Sequence, residues 1–204
     1  MNRFVLFLLL LVVGPGTAAQ VPSYAQTIAD HRETYRAEFL KTAHSPLKTP
    51  EAVVKLRFYA PDSAYRLRGT FVRTPEAEPF QMPTTEGTAK TYVAYGRITF
   101  RLAGGTHTLT LYRNLELSRL PLYRDYLFIP FRDTTNGQTT YGGGRYLDIR
   151  TGAIQNGQLE LDFNKAYNPY CAYADGFACP IPPRENWLKA PIAAGEQTYG
   201  TSKP

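Results

Sequence analysis

The sequence predicts a mainly β fold, an antiparallel β-sandwich or partly open barrel with an N-terminal α-helical arm. Apolar and polar residues alternate with a period of two in several short segments after Arg57, which is typical of strands with one buried face. Gly104-Gly105 lies between two such segments and indicates a tight hairpin. Residues 24–43 instead show helical spacing and contain neither Gly nor Pro.

The predicted strands are short, and each buries one residue in two. Their expected core-facing residues are Tyr65, Leu67, Phe71, Ile98, Phe100, Leu102, Leu109, Leu111, Leu159, Leu161 and Phe163. Leu127 to Phe131 is almost entirely apolar and contains Pro130, so we expect a buried strand that ends at a sheet edge.

The helical arm is predicted from a single apolar stripe. The residues that mark this stripe are Tyr24, Ile28, Tyr35 and Phe39. His31 falls on the same stripe, and we interpret it as a packing residue. A second, short helix is expected to begin with Thr49 as its N-cap and Pro50 as its first residue, and to end near Leu56.

Residues 1–19 are interpreted as a signal peptide. A short basic region precedes the apolar run 4–13, and small residues lead to a cleavage point after Ala19. The apolar run has about half of the roughly 20 residues that a membrane-spanning helix needs. We therefore expect residues 20–204 to form one exported domain, periplasmic or extracellular, with no transmembrane segment after cleavage.

Composition and charge exclude several classes of protein. The chain is 43% apolar and 20% charged, which argues against a disordered chain or a multi-span membrane protein. The formal net charge is +6, but the basic residues are dispersed, so we expect no nucleic-acid partner. Because nucleophile elbows, phosphate loops and zinc-ligand spacings are absent, the sequence predicts neither a metal nor another cofactor.

The irregular region 133–196 is the expected place of a functional site. Long irregular segments inside a compact domain are usually functional or disordered, and the aromatic content here argues against disorder. The chain has 15 Tyr and 11 Phe but a single Trp. Tyrosine rings suit a cleft for a sugar or another ring, and equally a core with wet edges.

Long motifs in this region resemble a known family. Residues 140–148 read TYGGGRYLD, residues 161–173 read LDFNKAYNPYCAY, residues 179–186 read CPIPPREN, and residues 194–196 read AGE. Together they resemble the bacterial domain-of-unknown-function family 1684, over essentially the whole chain after the signal peptide. The resemblance implies little about chemistry, because no activity is established for that family.

Cys171 and Cys179 are the two cysteines of the chain. An even number in an exported protein favours a disulfide, worth about 2.5 kcal/mol for so short a loop in the chain-entropy picture. A second possible role for a cysteine is that of a thiolate nucleophile, although no histidine lies nearby in sequence to act as its base. A metal site also stays open, although the spacing is not that of a zinc site.

Polar residues of the region allow an enzymatic interpretation. Asp162 and Glu185 can act as general acid and base if the fold brings them together, and Arg145 can then hold an anionic group of the substrate. The alternative is that these groups bond to backbone groups and fix irregular loops. Two functions follow: an envelope protein that binds a small molecule or a partner protein, and a hydrolase. The residues expected to line a ligand cleft are Tyr141, Arg145, Tyr146, Asn164, Tyr167 and Asn168.

Overall fold

One antiparallel sheet, curled into a half-barrel, organises the protein in a computed structural model that describes residues 22–200. The predicted signal peptide lies outside these residues. The strands are β1 (Arg66–Arg73), β2 (Phe80–Pro83), β3 (Ala89–Leu102), β4 (Gly105–Asn114), β5 (Tyr126–Phe131), β6 (Arg145–Arg150) and β7 (Gln158–Asp162). They lie in the order β6-β5-β4-β3-β1-β7, with β2 also paired to β3. The predicted mainly β class is confirmed, in its partly open barrel form.

Strand β3 is the longest strand and determines the curl of the sheet. One end pairs with β2 and the middle with β1, while β4 follows β3 along nearly its whole length. The register with β4 shifts between Ala94 and Gly96, which is a β-bulge that bends the strand. Gly96 is required there, because a Cβ atom would lie 2.4 Å from the ring of Phe71.

The two faces of the sheet carry two separate cores, because successive side chains of a strand point to opposite faces. The larger core joins apolar residues of six strands to Leu188, Ile192 and Ala194 of the C-terminal segment. The predicted alternation is confirmed for β7 and for β3 around Ile98, whereas β4 buries Leu109 and Leu111 on one face and Thr110 and Tyr112 on the other. The other face carries an aromatic cluster built on Met82, Tyr92, Tyr112, Phe128 and Tyr146.

Strand β5 lies between β4 and β6, which corrects the expectation that Pro130 marks a sheet edge. Proline cannot donate to a neighbouring strand, and β5 pairs with β4 at a single register position. Asn186 replaces the missing pairing. Its Oδ1 accepts from the Thr110 N–H at 2.7 Å, and its Nδ2 donates to the carbonyls of Thr110 at 2.9 Å and Pro130 at 2.8 Å. A buried side-chain amide therefore lets proline lie inside the sheet.

The helical arm is α1 (Tyr24–Lys41), which ends two residues before the predicted boundary. The Ser23 hydroxyl caps its start by accepting from the Gln26 N–H at 3.2 Å. The second helix, α2 (Pro50–Val53), has the predicted Thr49 cap but is shorter than expected. None of the helices among residues 22–200 is long and apolar enough to cross a membrane.

Strands β2 and β6 were not predicted from the sequence. Strand β6 lacks a simple alternation because both of its faces are covered: Leu147 belongs to the larger core and Tyr146 to the aromatic cluster. The hairpin between β3 and β4 is confirmed, but it turns through Ala103 and Gly104, which both have a positive φ. Gly105 is already the first residue of β4.

We expect Asn186→Ala to lower the free energy of unfolding by about 2–4 kcal/mol, because the buried Thr110 N–H and two carbonyls lose their partner. Urea denaturation followed by circular dichroism measures the change. Gln155→Ala truncates an exposed amide side chain and is the matched control, expected to change stability by less than about 0.5 kcal/mol. Equal losses in the two variants would contradict this role of Asn186.

Candidate functional site

A cleft of about 1020 Å³ lies between α1 and the β5–β6 side of the sheet. Residues 164–170 and 177–180 form further walls, and Glu160 and Asp162 line one end. The chain reaches this place by crossing, after β7, to the opposite edge of the sheet. There Tyr167 and Tyr146 exchange both backbone hydrogen bonds, at 2.9 and 3.1 Å. The cleft is therefore built where the half-barrel is open.

Asp148 supplies a carboxylate that is exposed within the cleft. The hydroxyls of Tyr126 and Tyr167 both donate to its Oδ1 at 2.7 Å, and no hydrogen bond reaches Oδ2 within the described part of the chain. Although the residue is exposed to the cleft, desolvation by the surrounding walls raises the pKa of the Asp148 carboxyl, and the hydrogen bonds from the two tyrosines and the charge of Arg150 act in the opposite direction. One oxygen is thus held in place and the other is available to a ligand.

Aromatic rings surround this carboxylate. Tyr92 stacks on Phe128 with 5.9 Å between ring centroids, and Tyr146 meets Phe128 edge-on at 4.7 Å. The Tyr167 ring lies 5.8 Å from that of Tyr146 and 6.0 Å from that of Tyr35 on α1. The rings form a continuous surface from the sheet to the helix, with apolar faces and polar edges.

Glu196 is a second carboxylate, fully buried next to the cleft wall. The hydroxyls of Tyr35 and Tyr173 and the backbone N–H of Asn168 donate to it at 2.7–3.1 Å. Burial raises the pKa of Glu196 to about 7, and these hydrogen bonds oppose the shift. Because Tyr35 belongs to α1, Glu196 fastens the helical wall of the cleft to the C-terminal segment.

Arg145, a predicted ligand-binding residue, is 0% exposed and does not line the cleft. Its Nη2 pairs with Asp133 at 2.9 Å and donates to the Ile192 carbonyl at 2.8 Å. Its Nη1 donates to the carbonyls of Ala194 and Glu196, and its Nε has no partner in the part of the chain that the structure describes. The structure gives this guanidinium a scaffold role, which differs from the predicted grip on a ligand because protein acceptors already occupy both Nη atoms.

The predicted ligand-binding residues that line the cleft are Tyr146, Asn164, Tyr167 and Asn168. Tyr141 does not line it. The two asparagines are buried and also hold loops: Asn164 bonds to the N–H and the carbonyl of Asp62 at 2.9 and 2.8 Å. Asn168 donates from Nδ2 to the Gln197 carbonyl at 2.9 Å, and no described residue donates to its buried Oδ1.

Asp162 and Glu185, the predicted acid–base pair, do not share the cleft. Asp162 lies in it at the end of β7, where its Oδ1 accepts from the Tyr24 hydroxyl at 2.9 Å and from Asn164. Glu185 lies outside the cleft lining and accepts from the Tyr112 hydroxyl at 2.8 Å. The geometry therefore offers no support for joint acid–base chemistry by this pair.

Cys171 and Cys179 lie side by side and are not bonded to each other. The Cys171 N–H donates to the Cys179 Sγ at 3.2 Å, and the Tyr141 hydroxyl lies 3.6 Å from the Cys171 Sγ. The hydrogen bond between the thiols lowers the pKa of Cys171 to about 6 and raises that of Cys179. Within residues 22–200, no group of three or more His, Cys, Asp or Glu side chains could hold a metal ion.

His31, interpreted from the sequence as a packing residue, is exposed and lines the cleft. Partial burial and the nearby Lys165 lower its pKa, and Asp162 opposes them. Arg32 and Lys165 line the cleft as well. Three basic side chains therefore meet at the end of the cleft that lies near Asp162.

The family resemblance of the motifs agrees with comparisons to known proteins. Residues 52–197 match the family model described as Protein of unknown function (DUF1684). The chain belongs to this family. It is also similar to the solution NMR structure of the uncharacterized protein from gene locus rrnAC0354 of Haloarcula marismortui, with 33% identity and a TM-score of 0.64 over 85% of this chain and 95% of that one. A comparison with curated proteins finds no match.

The DUF1684 match contains the two carboxylates that sequence reasoning missed, Asp148 and Glu196. Asp148 is the acidic residue of the motif 140–148 and Glu196 that of the motif 194–196, which could have made both candidates. Their environments could not be predicted, because the hydroxyls that hold them come from distant parts of the chain. The helix α1, which forms one wall of the cleft, precedes the matched residues.

We expect the free energy of unfolding to fall as the pH rises from about 5 to 8, because folded Glu196 keeps a proton that the unfolded chain has lost. Its pKa rises from 4.5 to about 7, so its stabilisation is complete below 4.5 and lost as the pH passes 7. The shift corresponds to roughly 3 kcal/mol. Urea denaturation at several pH values measures this loss.

Glu196→Gln should remove this pH-dependent part of the free energy of unfolding, because glutamine does not titrate. Glu86→Gln changes an exposed carboxylate and should keep the wild-type profile. If wild type and Glu196→Gln show the same pH profile, Glu196 is not the group responsible.

Proposed function

We propose that this DUF1684 protein binds a small, ring-bearing ligand in the cleft, with Asp148 as the polar anchor. The observation that carries the proposal is the carboxylate whose Oδ1 accepts from Tyr126 and Tyr167 at 2.7 Å while Oδ2 has no partner among the described residues. Such a carboxylate accepts a hydrogen bond from a hydroxyl or an ion pair from an amine.

The size and lining of the cleft support this proposal. A volume of about 1020 Å³ is at the upper end of the range for small-molecule pockets. Aromatic walls with a few convergent polar groups are the usual composition of such sites. Tyr92 and Tyr146 line the cleft but are almost fully buried, whereas the half-buried ring of Tyr167 offers contact area to a sugar or an aromatic ring.

The site is also organised before any ligand binds. Tyr126 and Tyr167 hold the carboxylate, and Tyr35 is held by Glu196 at 3.1 Å. Binding then costs little ordering of side chains, which favours affinity for a small molecule.

We further propose that the protein is exported, that residues 1–19 are removed, and that Cys171 and Cys179 form a disulfide. The support is the signal-like sequence of residues 1–19 and the 3.2 Å contact between the Cys171 N–H and the Cys179 Sγ. In this step two thiols lose two protons and two electrons to a thiol oxidant of the envelope, and a sulfur–sulfur bond forms. The bond would brace the cleft wall formed by residues 177–180.

We expect Asp148→Asn to weaken the binding of tyramine, a phenol with a primary ammonium group, by about tenfold. The reason is the lost charge on the anchor, and tenfold corresponds to about 1.4 kcal/mol. Titration followed by amide NMR shifts measures the affinity and locates the bound ring. A neutral phenyl glucoside tests the sugar alternative in the same way.

Glu86→Gln removes one negative charge outside the cleft and serves as the matched control, with affinity expected to equal that of wild type. Shifts confined to residues outside the cleft would contradict the proposal. Equal affinity of wild type and Asp148→Asn for tyramine would contradict the role of Asp148. Failure of both tyramine and the phenyl glucoside to bind would contradict ring binding.

We expect the full-length chain, expressed in a Gram-negative bacterium, to be recovered from the periplasm beginning at Gln20 and without alkylatable thiols. Intact-mass spectrometry, with and without reduction before alkylation, measures both properties. A chain that lacks residues 1–19 is the control and should remain in the cytoplasm. A full-length cytoplasmic product would contradict export, and two reactive thiols in the periplasmic product would contradict the disulfide.

A further inference from the structure

The cleft has a basic end that the Asp148 anchor leaves unexplained. His31, Arg32 and Lys165 line this end. Asp148 lies instead close enough to Glu38 for that carboxylate to raise its pKa. Glu38 follows His31 by about two turns of α1, a rise of about 10 Å. The basic residues and Asp148 thus lie at opposite ends of this stretch of α1.

Arg32 is the least satisfied charged group of this region. It is 9% exposed, and among residues 22–200 its buried Nε and Nη2 find no hydrogen-bond partner. Its guanidinium lies over the ring of Phe58, 4.7 Å from the centroid, and burial together with the nearby Arg36 lowers its pKa. The buried guanidinium of Arg145, by contrast, has protein acceptors on both Nη atoms. A buried polar group without partners is costly unless something else supplies an acceptor.

The neighbouring charges favour an anion as that acceptor. Lys165 is exposed and forms no salt bridge among the described residues, and His31 is exposed beside it. Two acidic residues also line this end, but Asp162 accepts three hydrogen bonds on Oδ1, and Glu160 pairs with Arg66 at 2.8 Å. The Oδ2 of Asp162 receives no hydrogen bond among the described residues, so one unpaired carboxylate lies beside the two positive charges of Arg32 and Lys165 at this end.

We propose that the basic end of the cleft is a subsite for a carboxylate or phosphate group of the ligand. The proposal rests on the proposed function and narrows it. The ligand would be a ring-bearing anion whose acidic group lies at the end opposite the group that meets Asp148. The guanidinium of Arg32 and the Nζ of Lys165 would donate to the anion, and Phe58 would support the guanidinium.

The first test uses inorganic phosphate and acetate, which have no ring and so report on the subsite alone. The probe is the NMR resonance of the Arg32 Nε–Hε group in the full mature chain. We expect both anions to shift this resonance in a saturable way. Absence of any shift would overturn the subsite.

The second test compares three probes that share a phenyl ring. Phenyl phosphate and phenylacetate also carry an anionic group, and benzyl alcohol is neutral. We expect the better of the two anions to bind about tenfold more tightly than the alcohol, and its identity decides between phosphate and carboxylate. Arg32→Gln and Lys165→Gln should each reduce this preference. Arg68→Gln removes an exposed positive charge outside the cleft and should keep it.

The outcomes separate this subsite from the Asp148 anchor. Equal affinity for benzyl alcohol and both anions would overturn the subsite, while tyramine binding that depends on Asp148 would still stand. Conversely, phosphate can shift Arg32 even if no ring-bearing probe binds, which would refute the proposed function alone. Arg32→Lys keeps the charge, and retention of part of the preference in this variant would support the subsite if Arg32→Gln does not fold.

Discussion

The buried ion pair between Asp133 and Arg145 is the interaction on which the rest of the site depends. A buried guanidinium is costly unless acceptors surround it. Here Asp133 and the carbonyls of Ile192, Ala194 and Glu196 supply them. These contacts bind the C-terminal segment to the first residue of β6. Because Ile192 and Ala194 belong to the larger core, the polar contact and the apolar burial position the same segment.

The position of the cleft wall follows from this contact. The Glu196 backbone is held by Arg145, and the Glu196 carboxylate in turn receives the Tyr35 hydroxyl of α1, 161 residues away in sequence. Strand β6 contributes twice, since Asp148 lies three residues after Arg145 and therefore points to the opposite face. One face of the strand carries the charge that holds the scaffold, and the other carries the carboxylate of the cleft.

The sequence allowed prediction of features that depend on neighbours along the chain, and missed those that depend on distant partners. The alternation around Ile98 and the stripe of α1 are local patterns and were confirmed. Pro130 was assigned to an edge by a local rule, which fails because the amide of Asn186, 56 residues later, replaces the missing donor. Arg145 was predicted to bind a ligand for the same reason. The carbonyls that surround it come from distant residues, and no local pattern in the sequence indicates them.

The polar residues differ in whether their hydrogen bonds are made within the protein or are left for a ligand. This difference distinguishes residues that hold the scaffold from residues of the candidate site. The side chains of Arg145, Asn164 and Asn186 bond to backbone groups of loops and strands. Asp148 and Arg32 keep unused capacity within one cleft, with opposite charges. Folded proteins satisfy nearly all their buried polar groups, so unused groups that face a cleft are the ones available to a ligand. Two such groups far apart can bind the two ends of one molecule, whereas the predicted acid–base hydrolysis needs Asp162 and Glu185 on either side of the same bond.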